Sequence, residues 1–364
     1  MNGPVCEASD DNPAQKRSLA RFASLLLSCI VLLLTFIGLL RFDALFTRYV
    51  RSLNDLQIDH LHDPWLAQLS DLGDQMGSGE SLVLVSTVLL AVGYGFRISG
   101  WIRAGWQTIL AHALSGLAVN ALKHSIGRAR PKFMHSGHAV FSPFSGNDWD
   151  SFPSGHAMAA FAVATVIAVR FPKVRWPVLA LASGISISRL FRGSHYLTDI
   201  VGGAVLGVVI GTLSAYPWKD WRSSLVSALV AVTAPLAACL ALVTTMTQMP
   251  AGAWWGTAVR GAGLVITFVG VLLIVLRRAQ PRLLPFHLIR PLVLVFVGLG
   301  VGMFSGSPFV TLILLLTCAA HWIRSVSENS ATAPTHHPWP HETAFGLAVL
   351  MMLYTMIELR GTCR

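Results

Sequence analysis

The stretch Phe22–Leu40, FASLLLSCIVLLLTFIGLL, decides how the rest of this chain is read. It carries no charge and is as long as the ~20 apolar residues a helix needs to cross the hydrocarbon of a bilayer. Lys16, Arg17 and Arg21 precede it, as they would in a secretory leader, but Arg41, Phe42 and Asp43 follow it instead of a small-residue cleavage site. The run is therefore read as an uncleaved first membrane helix.

Ten further apolar runs extend the pattern: Ser81–Phe96, about Ala104–Leu122, His156–Val169, Trp176–Ile187, Tyr196–Tyr216, Leu225–Met246, Trp255–Leu276, Leu292–Phe304, Phe309–Ile323 and Phe345–Ile357 make, with the first, eleven candidates. The last three are short or closely spaced, so the expected count is nine to eleven. Composition agrees. Of 364 residues 54% are hydrophobic and 12% charged, about half the charge of a soluble domain, and mean hydropathy is +0.60. A soluble enzyme, a disordered chain and a disulfide scaffold are excluded. The formal charge of +10 does not point to nucleic acid, because the bases lie in short clusters between apolar runs, as in membrane loops. Cys29, Cys239 and Cys318 lie within runs and read as small hydrophobes, and Cys6 and Cys363 complete a set without CxxC. The polar tail Ser325–Glu342 reads as a loop; its histidines His336, His337 and His341, with His321 before them, leave metal binding as the lesser alternative.

Charge also assigns sides. Arg97 and Arg103, then Arg170, Lys173 and Arg175, then Lys219 and Arg222, then Arg277 to Arg290, and Arg324 mark alternate loops, expected to be cytoplasmic together with the N-terminus. The opposite side receives Phe42–Glu80, Lys123–Ser154, Ser188–His195 and Met249–Ala253. The first of these carries Asp55, Asp59, Asp63, Asp71 and Asp74 and contains either a short interfacial helix around Leu53–Leu69 or a plain connector. The second breaks the rule, for Lys123, Arg128, Arg130 and Lys132 crowd a side that should be poor in base. Gly203, Gly207 and Gly211 recur every four residues, which predicts a helix face for close packing.

Three clusters fall on that outer side: Lys123 and Arg130-Pro131 within KHSIGRARP, Pro153-Ser154-Gly155-His156, and Ser188-Arg189 with His195 and Asp199. So many ionisable residues at one level of a membrane protein indicate function. His195 and Asp199 are i and i+4, so on one helix they face each other, and Asp199 would fix which imidazole nitrogen is free. The free nitrogen is then a nucleophile or base; a structural His–Asp cap gives the same spacing. Lys123, Arg130 and Arg189 suit phosphate oxygens. Ser154–Gly155–His156 is expected to open a helix whose amides and hydroxyl meet an anion, with Gly155 permitting close approach and His156 placed to protonate a leaving oxygen. Asp148, Asp150, His135 and His138 read as loop residues near this site. No P-loop or GxGxxG is present, so the economical chemistry is metal-free phosphoryl transfer in two steps: His195 attacks phosphorus, and water then cleaves the phosphohistidine.

These motifs resemble those of the type 2 phosphatidic acid phosphatase superfamily, K-x6-R-P, P-S-G-H and S-R-x5-H-x3-D, matched by Lys123, Arg130, Pro131, Pro153, Ser154, Gly155, His156, Ser188, Arg189, His195 and Asp199. The resemblance implies an integral membrane lipid phosphatase that needs no metal or other cofactor. His195 would be its nucleophile, His156 its acid/base, and Lys123, Arg130, Ser154, Gly155 and Arg189 its phosphate ligands. It implies an all-α transmembrane bundle with a six-helix catalytic core over residues 20–217, followed by additional helices over 218–364. In bacterial relatives the site opens to the periplasm, in agreement with the charge-based sides, and the membrane is the inner one. Substrates of such enzymes are phosphatidic acid, phosphatidylglycerol phosphate, undecaprenyl pyrophosphate or the phosphates of lipid A, so the partners are a lipid phosphate and the bilayer. Three alternatives stay open: a lipid phosphotransferase with the same site, an enzyme like glucose-6-phosphatase, and a transporter or binding protein with a degenerate site.

Overall fold

The computed structural model describes residues 13–53, 64–131, 141–247, 254–279 and 286–329. These form eleven α-helices: α1 Pro13–Leu53, α2 Pro64–Met76, α3 Gly79–Gly95, α4 Ser99–Ile126, α5 Gly155–Arg170, α6 Arg175–Phe191, α7 Leu197–Ala215, α8 Trp221–Thr247, α9 Trp254–Ala279, α10 Phe286–Ser305 and α11 Pro308–Asn329. Among the described residues there is no strand, only an isolated bridge between Arg128 and Phe141. The protein is an all-α membrane helix bundle. Among the described residues four helical segments are long and apolar enough to cross a bilayer: Ser18–Arg48, Leu197–Ala215, Trp221–Thr245 and Gly256–Leu276. A fifth is available if Ala67–Met76 and Gly79–Gly95, bent by 54° at their junction, act as one span.

Each apolar run from the first to the tenth falls on a helix, and most helices extend past their run, although Phe96 lies just beyond α3 and Tyr196 and Tyr216 just outside α7. The eleventh run, Phe345–Ile357, and the tail histidines His336, His337 and His341 lie outside the described residues. In the long outer segment residues 54–63, most of the stretch read as either an interfacial helix or a connector, lie outside the described residues, and a helix occupies Pro64–Met76. The first helix does not stop at Leu40. It continues to Leu53, so Asp43, read as the start of a loop, is a buried helical residue with 4% exposure.

The chain divides into two compact units. One comprises Leu34–Val232, the other Met1–Leu33 with Thr233–Arg364. In the first unit α5 is the central helix. It is apolar around its whole circumference and buries Ala157, Met158, Ala160, Ala162, Val163 and Val166, as a helix surrounded by neighbours must. The glycine face expected on α7 packs against it. A methyl group added at Gly203, Gly207 or Gly211 would stand 2.6, 2.4 and 2.4 Å from the carbonyl oxygens of Ser154, Met158 and Ala162. Two apolar clusters close the unit. Val50, Ala157, Leu190 and Ile200 join α1, α5, α6 and α7, and Ala111, Ala162, Val166 and Ala215 join α4, α5 and α7. In the second unit the glycines again set the spacing, with Gly263 and Gly300 bringing α9 and α10 into backbone contact. Cys29, Cys239 and Cys318 are free thiols on helices, and the Cys318 thiol donates to the Leu294 carbonyl at 2.9 Å.

Candidate active site

The site is assembled in the first unit, starting where α4 ends. Gly127 terminates that helix in the left-handed region at φ 59°, its amide donating to the Lys123 carbonyl at 2.9 Å. A side chain there would collide with the Ser142 carbonyl, 1.9 Å from the added carbon. The turn lets the chain run beside residues 141–151. Ser142 N–H donates to Gly127 O (2.7 Å), Arg130 N–H to Asp148 O (3.1 Å), and Ser151 N–H to Arg128 O (2.9 Å). This clasp sets Asp150 against the two bases of the first motif. Arg130 grips it with both arms, Nε to Oδ1 and Nη2 to Oδ2 at 2.6 Å each, and Lys123 Nζ reaches Oδ2 at 3.3 Å. Burial alone would raise the Asp150 carboxyl, but the hydrogen bonds from Arg130 and the charge of Lys123 hold it at about 2. The same bonds push the Arg130 guanidinium above its ordinary value.

Ser154, Gly155 and His156 open α5, as their sequence suggests. Ser154 is the N-cap and its amide donates to the Asp199 carbonyl at 3.0 Å. Its hydroxyl does not cap the helix. Oγ is fully buried and makes no hydrogen bond within the protein. Gly155 and His156 supply the first amides of the helix, which have no intrahelical acceptor. A methyl at Gly155 would meet only Val119 at 3.7 Å, an ordinary contact, so packing within the protein does not call for glycine here.

His195 and Asp199 are placed differently from the expectation. They do not share a helix. His195 precedes α7, whose N-cap is Tyr196, and Asp199 is the third helical residue. The imidazole makes its hydrogen bond to the backbone: Nδ1 lies 2.8 Å from the Ser151 carbonyl oxygen and 3.7 Å from Asp199 Oδ2. A carbonyl can only accept, so Nδ1 carries the proton and Nε2 presents its lone pair. The tautomer assigned to Asp199 is set by Ser151. Burial pushes the His195 imidazole below its ordinary value, against the pull of Asp199, so the ring is neutral. Asp199 instead organises the start of α7. It accepts from Tyr196 N–H at 2.9 Å, closing a capping box, from Ser151 Oγ at 2.5 Å, and from Arg128 Nη1 at 2.5 Å.

Arg128 is the residue the sequence reading placed among loop bases without giving it a task. It is 1% exposed. Its guanidinium bridges Asp199 and Asp43, the latter at 2.7 Å, donates to Thr198 Oγ1 at 2.7 Å, and stacks 4.1 Å over the Tyr196 ring. Burial works against its charge, yet the two carboxylates more than restore it and raise its value. Asp43 in turn accepts the Thr198 amide at 3.0 Å. The available signal was the first arginine inside GRARP, two residues before the Arg130 of the motif.

The opposite wall comes from α2, α5 and α6. Arg189 lies in the last turn of α6, its side chain 9% exposed, and its Nη1 donates to Asp74 Oδ1. His156 Nε2 lies 3.1 Å from that same oxygen. Arg192 holds Asp74 Oδ2 at 3.1 Å and Asp71 at 3.0 Å. Asp74 reaches this position because Gly73 on α2 and Gly77 in the turn just after it face the site. An added carbon at Gly73 would stand 2.3 Å from Ser188 Oγ, and one at Gly77 2.8 Å from the His156 ring. Sequence reading counted Asp71 and Asp74 only as acids of the outer segment. The two walls form one site. Lys123 and Arg130 lie close enough for their charges to act on His195, and Arg130 likewise on Arg189, while the Ser154 amide, one residue before Gly155 and His156, is tied to the Asp199 carbonyl at 3.0 Å. All eight expected site residues are therefore brought together, whereas His135 and His138 lie outside the described residues. Among the described residues no three His, Cys, Asp or Glu side chains form a set that could hold a metal ion.

The profile of the PAP2 superfamily matches residues 104–223, from α4 into the first turn of α8. A lipid A 1-phosphatase of Rhizobium etli is 33% identical over 165 residues, covering 41% of this chain and 71% of that protein. A lipid A 1-phosphatase of Rhizobium johnstonii is 40% identical over 103 residues, 28% of this chain and 42% of that protein. A phosphatidylglycerophosphatase B of Bacillus subtilis is 30% identical over 162 residues, 41% of this chain and 74% of that protein. The chain belongs to the PAP2 superfamily.

Proposed function

We propose that this protein is a phosphatase that removes the phosphate from a membrane lipid phosphate or pyrophosphate, without a metal, through a phosphohistidine on His195. The observation that carries this reading is the hydrogen bonding of His195: Nδ1 is held by the Ser151 carbonyl at 2.8 Å, which leaves Nε2 as the nitrogen available for attack, within reach of the charges of Lys123 and Arg130. Nε2 attacks phosphorus in line as the bond to the lipid oxygen breaks, and His156 gives that oxygen its proton. Lys123, Arg130 and Arg189 hold the transferring oxygens, supplying the charge neutralisation that metal ions provide in other phosphoryl-transfer sites. The unpartnered Ser154 hydroxyl and the first amides of α5 complete the cradle, and Gly155, which the protein's own packing does not require, keeps the approach open. Water then attacks the phosphohistidine, gives its proton to His156, and returns His195 to its neutral state. Asp199, 3.7 Å from Nδ1, favours the imidazolium of the intermediate through its charge.

The matched region, with the helices before it, serves as the catalytic core of about six helices, and the later helices are an added membrane unit. Clustered bases in the alternate loops support a site facing the periplasm of a bacterial inner membrane. The names of the two rhizobial relatives make a lipid A phosphate the first substrate to test.

The experiment is release of inorganic phosphate by purified protein with a chelator present. The substrates are a lipid A phosphate, phosphatidic acid, phosphatidylglycerol phosphate, undecaprenyl pyrophosphate and glucose 6-phosphate. Turnover of at least one lipid, lost in His195→Ala, is expected. Undiminished turnover in His195→Ala would remove the nucleophile, and preference for the soluble sugar phosphate would remove the lipid reading.

A further inference from the structure

We propose that Asp74 is a positioning residue of this reaction, shared between the phosphate anchor Arg189 and the acid His156, and that it turns phosphate binding into readiness to protonate the leaving group. The inference rests on the phosphatase reading above. Its basis is that one carboxylate oxygen, Asp74 Oδ1, serves both residues: Arg189 Nη1 donates to it, and His156 Nε2 lies 3.1 Å away.

The placement is built into the fold. α2 approaches α6 through Gly73, and the turn after it approaches His156 through Gly77, where a side chain would collide with Ser188 at the first and with Ile185 and the His156 ring at the second. Ser70 Oγ fastens the same helix to the Ser188 carbonyl at 3.3 Å. Arg192 holds the other carboxylate oxygen at 3.1 Å. Asp74 is thus fixed at the boundary between anchor and acid, 36% exposed beside a His156 side chain that is 29% exposed.

The chemistry follows from the atom that is engaged. With Nε2 directed at Asp74, the nitrogen left to face a leaving oxygen is Nδ1. A carboxylate in ion-pair range of one nitrogen favours the doubly protonated ring. In the first step the His195 Nε2–P bond forms, the P–O bond to the lipid breaks, and the leaving oxygen takes the Nδ1 proton, so that His156 becomes neutral. In the second step water gives its proton to the same Nδ1 as its oxygen bonds to phosphorus and the P–N bond breaks. Arg189 competes with His156 for Oδ1. A phosphoryl group that draws Arg189 onto its own oxygens leaves the carboxylate to His156 and favours the imidazolium at the moment a proton is needed.

The test compares wild type, Asp74→Asn and Asp74→Ser on two lipids with the same tails: phosphatidic acid, whose leaving group is an alkoxide, and diacylglycerol pyrophosphate, whose leaving group is a phosphate that departs with little help from an acid. Both variants are expected to lose about tenfold or more on phosphatidic acid and much less on the pyrophosphate. The alkaline limb of kcat should move to lower pH. The ratio of the two rates within one preparation does not depend on the fraction folded, so a poorly folding variant still reports. Asp71→Asn, on the exposed side of Arg192, is expected to keep the wild-type ratio. An unchanged ratio with an unmoved alkaline limb overturns the proposal, as does a rise in activity, which would mark Asp74 as a competing anion. Wild-type protein inactive on every lipid would overturn the phosphatase reading itself, and is thereby distinguished from failure of this inference alone.

Discussion

Arg128 Nη1 lies 2.5 Å from Asp199 Oδ1, and neither side chain is more than 1% exposed. The same guanidinium holds Asp43 at 2.7 Å, so a single cation ties α1 to the start of α7 and to the loop that carries the first motif. Removing one member of such a buried group leaves uncompensated charge, at a cost of about 3–5 kcal/mol. Arg128→Ala is expected to lower stability by that order, read as a lower thermal midpoint in detergent. Arg128→Lys should be nearly as damaging, since one ammonium cannot fork between two acids. An Arg128→Ala protein melting with the wild type would show that the network is not structural.

The pH dependence follows from His195. A nucleophile must be unprotonated, and burial lowers the pKa of this ring. The sign is therefore that protonation, and loss of activity, is postponed to lower pH. The acid limb of kcat/KM is expected below the ordinary imidazole value of ~6.5. A limb at or above that value in the pH–rate profile would contradict a buried, neutral His195.

Arg130 meets Asp150 through two parallel hydrogen bonds of 2.6 Å, the geometry a phosphate would also use. Asp150, held at about 2, stays anionic throughout the working range, so a substrate must compete with it for the fork. Arg130→Lys keeps the charge and loses the fork. A loss in kcat/KM of roughly tenfold or more is expected, measured by phosphate release. Wild-type kinetics in this variant would mean that only charge matters at the position.

Gly207 tests the packing of the catalytic helix. Gly207→Ala would set a carbon 2.4 Å from the Met158 carbonyl oxygen and 2.9 Å from Phe161 Cβ. Backbone lies on the far side, so α7 must move away from α5. Destabilisation of about 1–3 kcal/mol is expected, with activity falling alongside because α7 carries Asp199 and α5 carries His156. The check is a detergent melt paired with a turnover assay, and a variant as stable as wild type would show that the two helices have slack.

Much of this was legible in the chain. Apolar runs of spanning length gave the helices, since unpaired backbone in lipid leaves little choice. The every-fourth glycines of α7 gave its contact face. The three motifs named residues that the fold does bring together. Less legible were the residues that hold the motif residues. Asp43 looked like the first residue after a membrane run, Asp74 like one of several surface acids, and Arg128 like one base in a cluster. Local spacing also misled at His195 and Asp199: four residues apart suggests one helix face, but the helix begins after the histidine, and the group that fixes the ring is a backbone carbonyl from a segment 44 residues away.

The sequence by itself determined that this is a membrane bundle and which side chains are suited to phosphate, because hydropathy over a span and the chemistry of Lys, Arg, His and Ser are properties of the residues themselves. Only the tertiary structure decided which nitrogen of His195 is free, which acids neutralise which bases, and that α2 enters the site. Those depend on distances between segments remote in the chain, and the strength of a buried charge or hydrogen bond is set by the partner that folding places beside it.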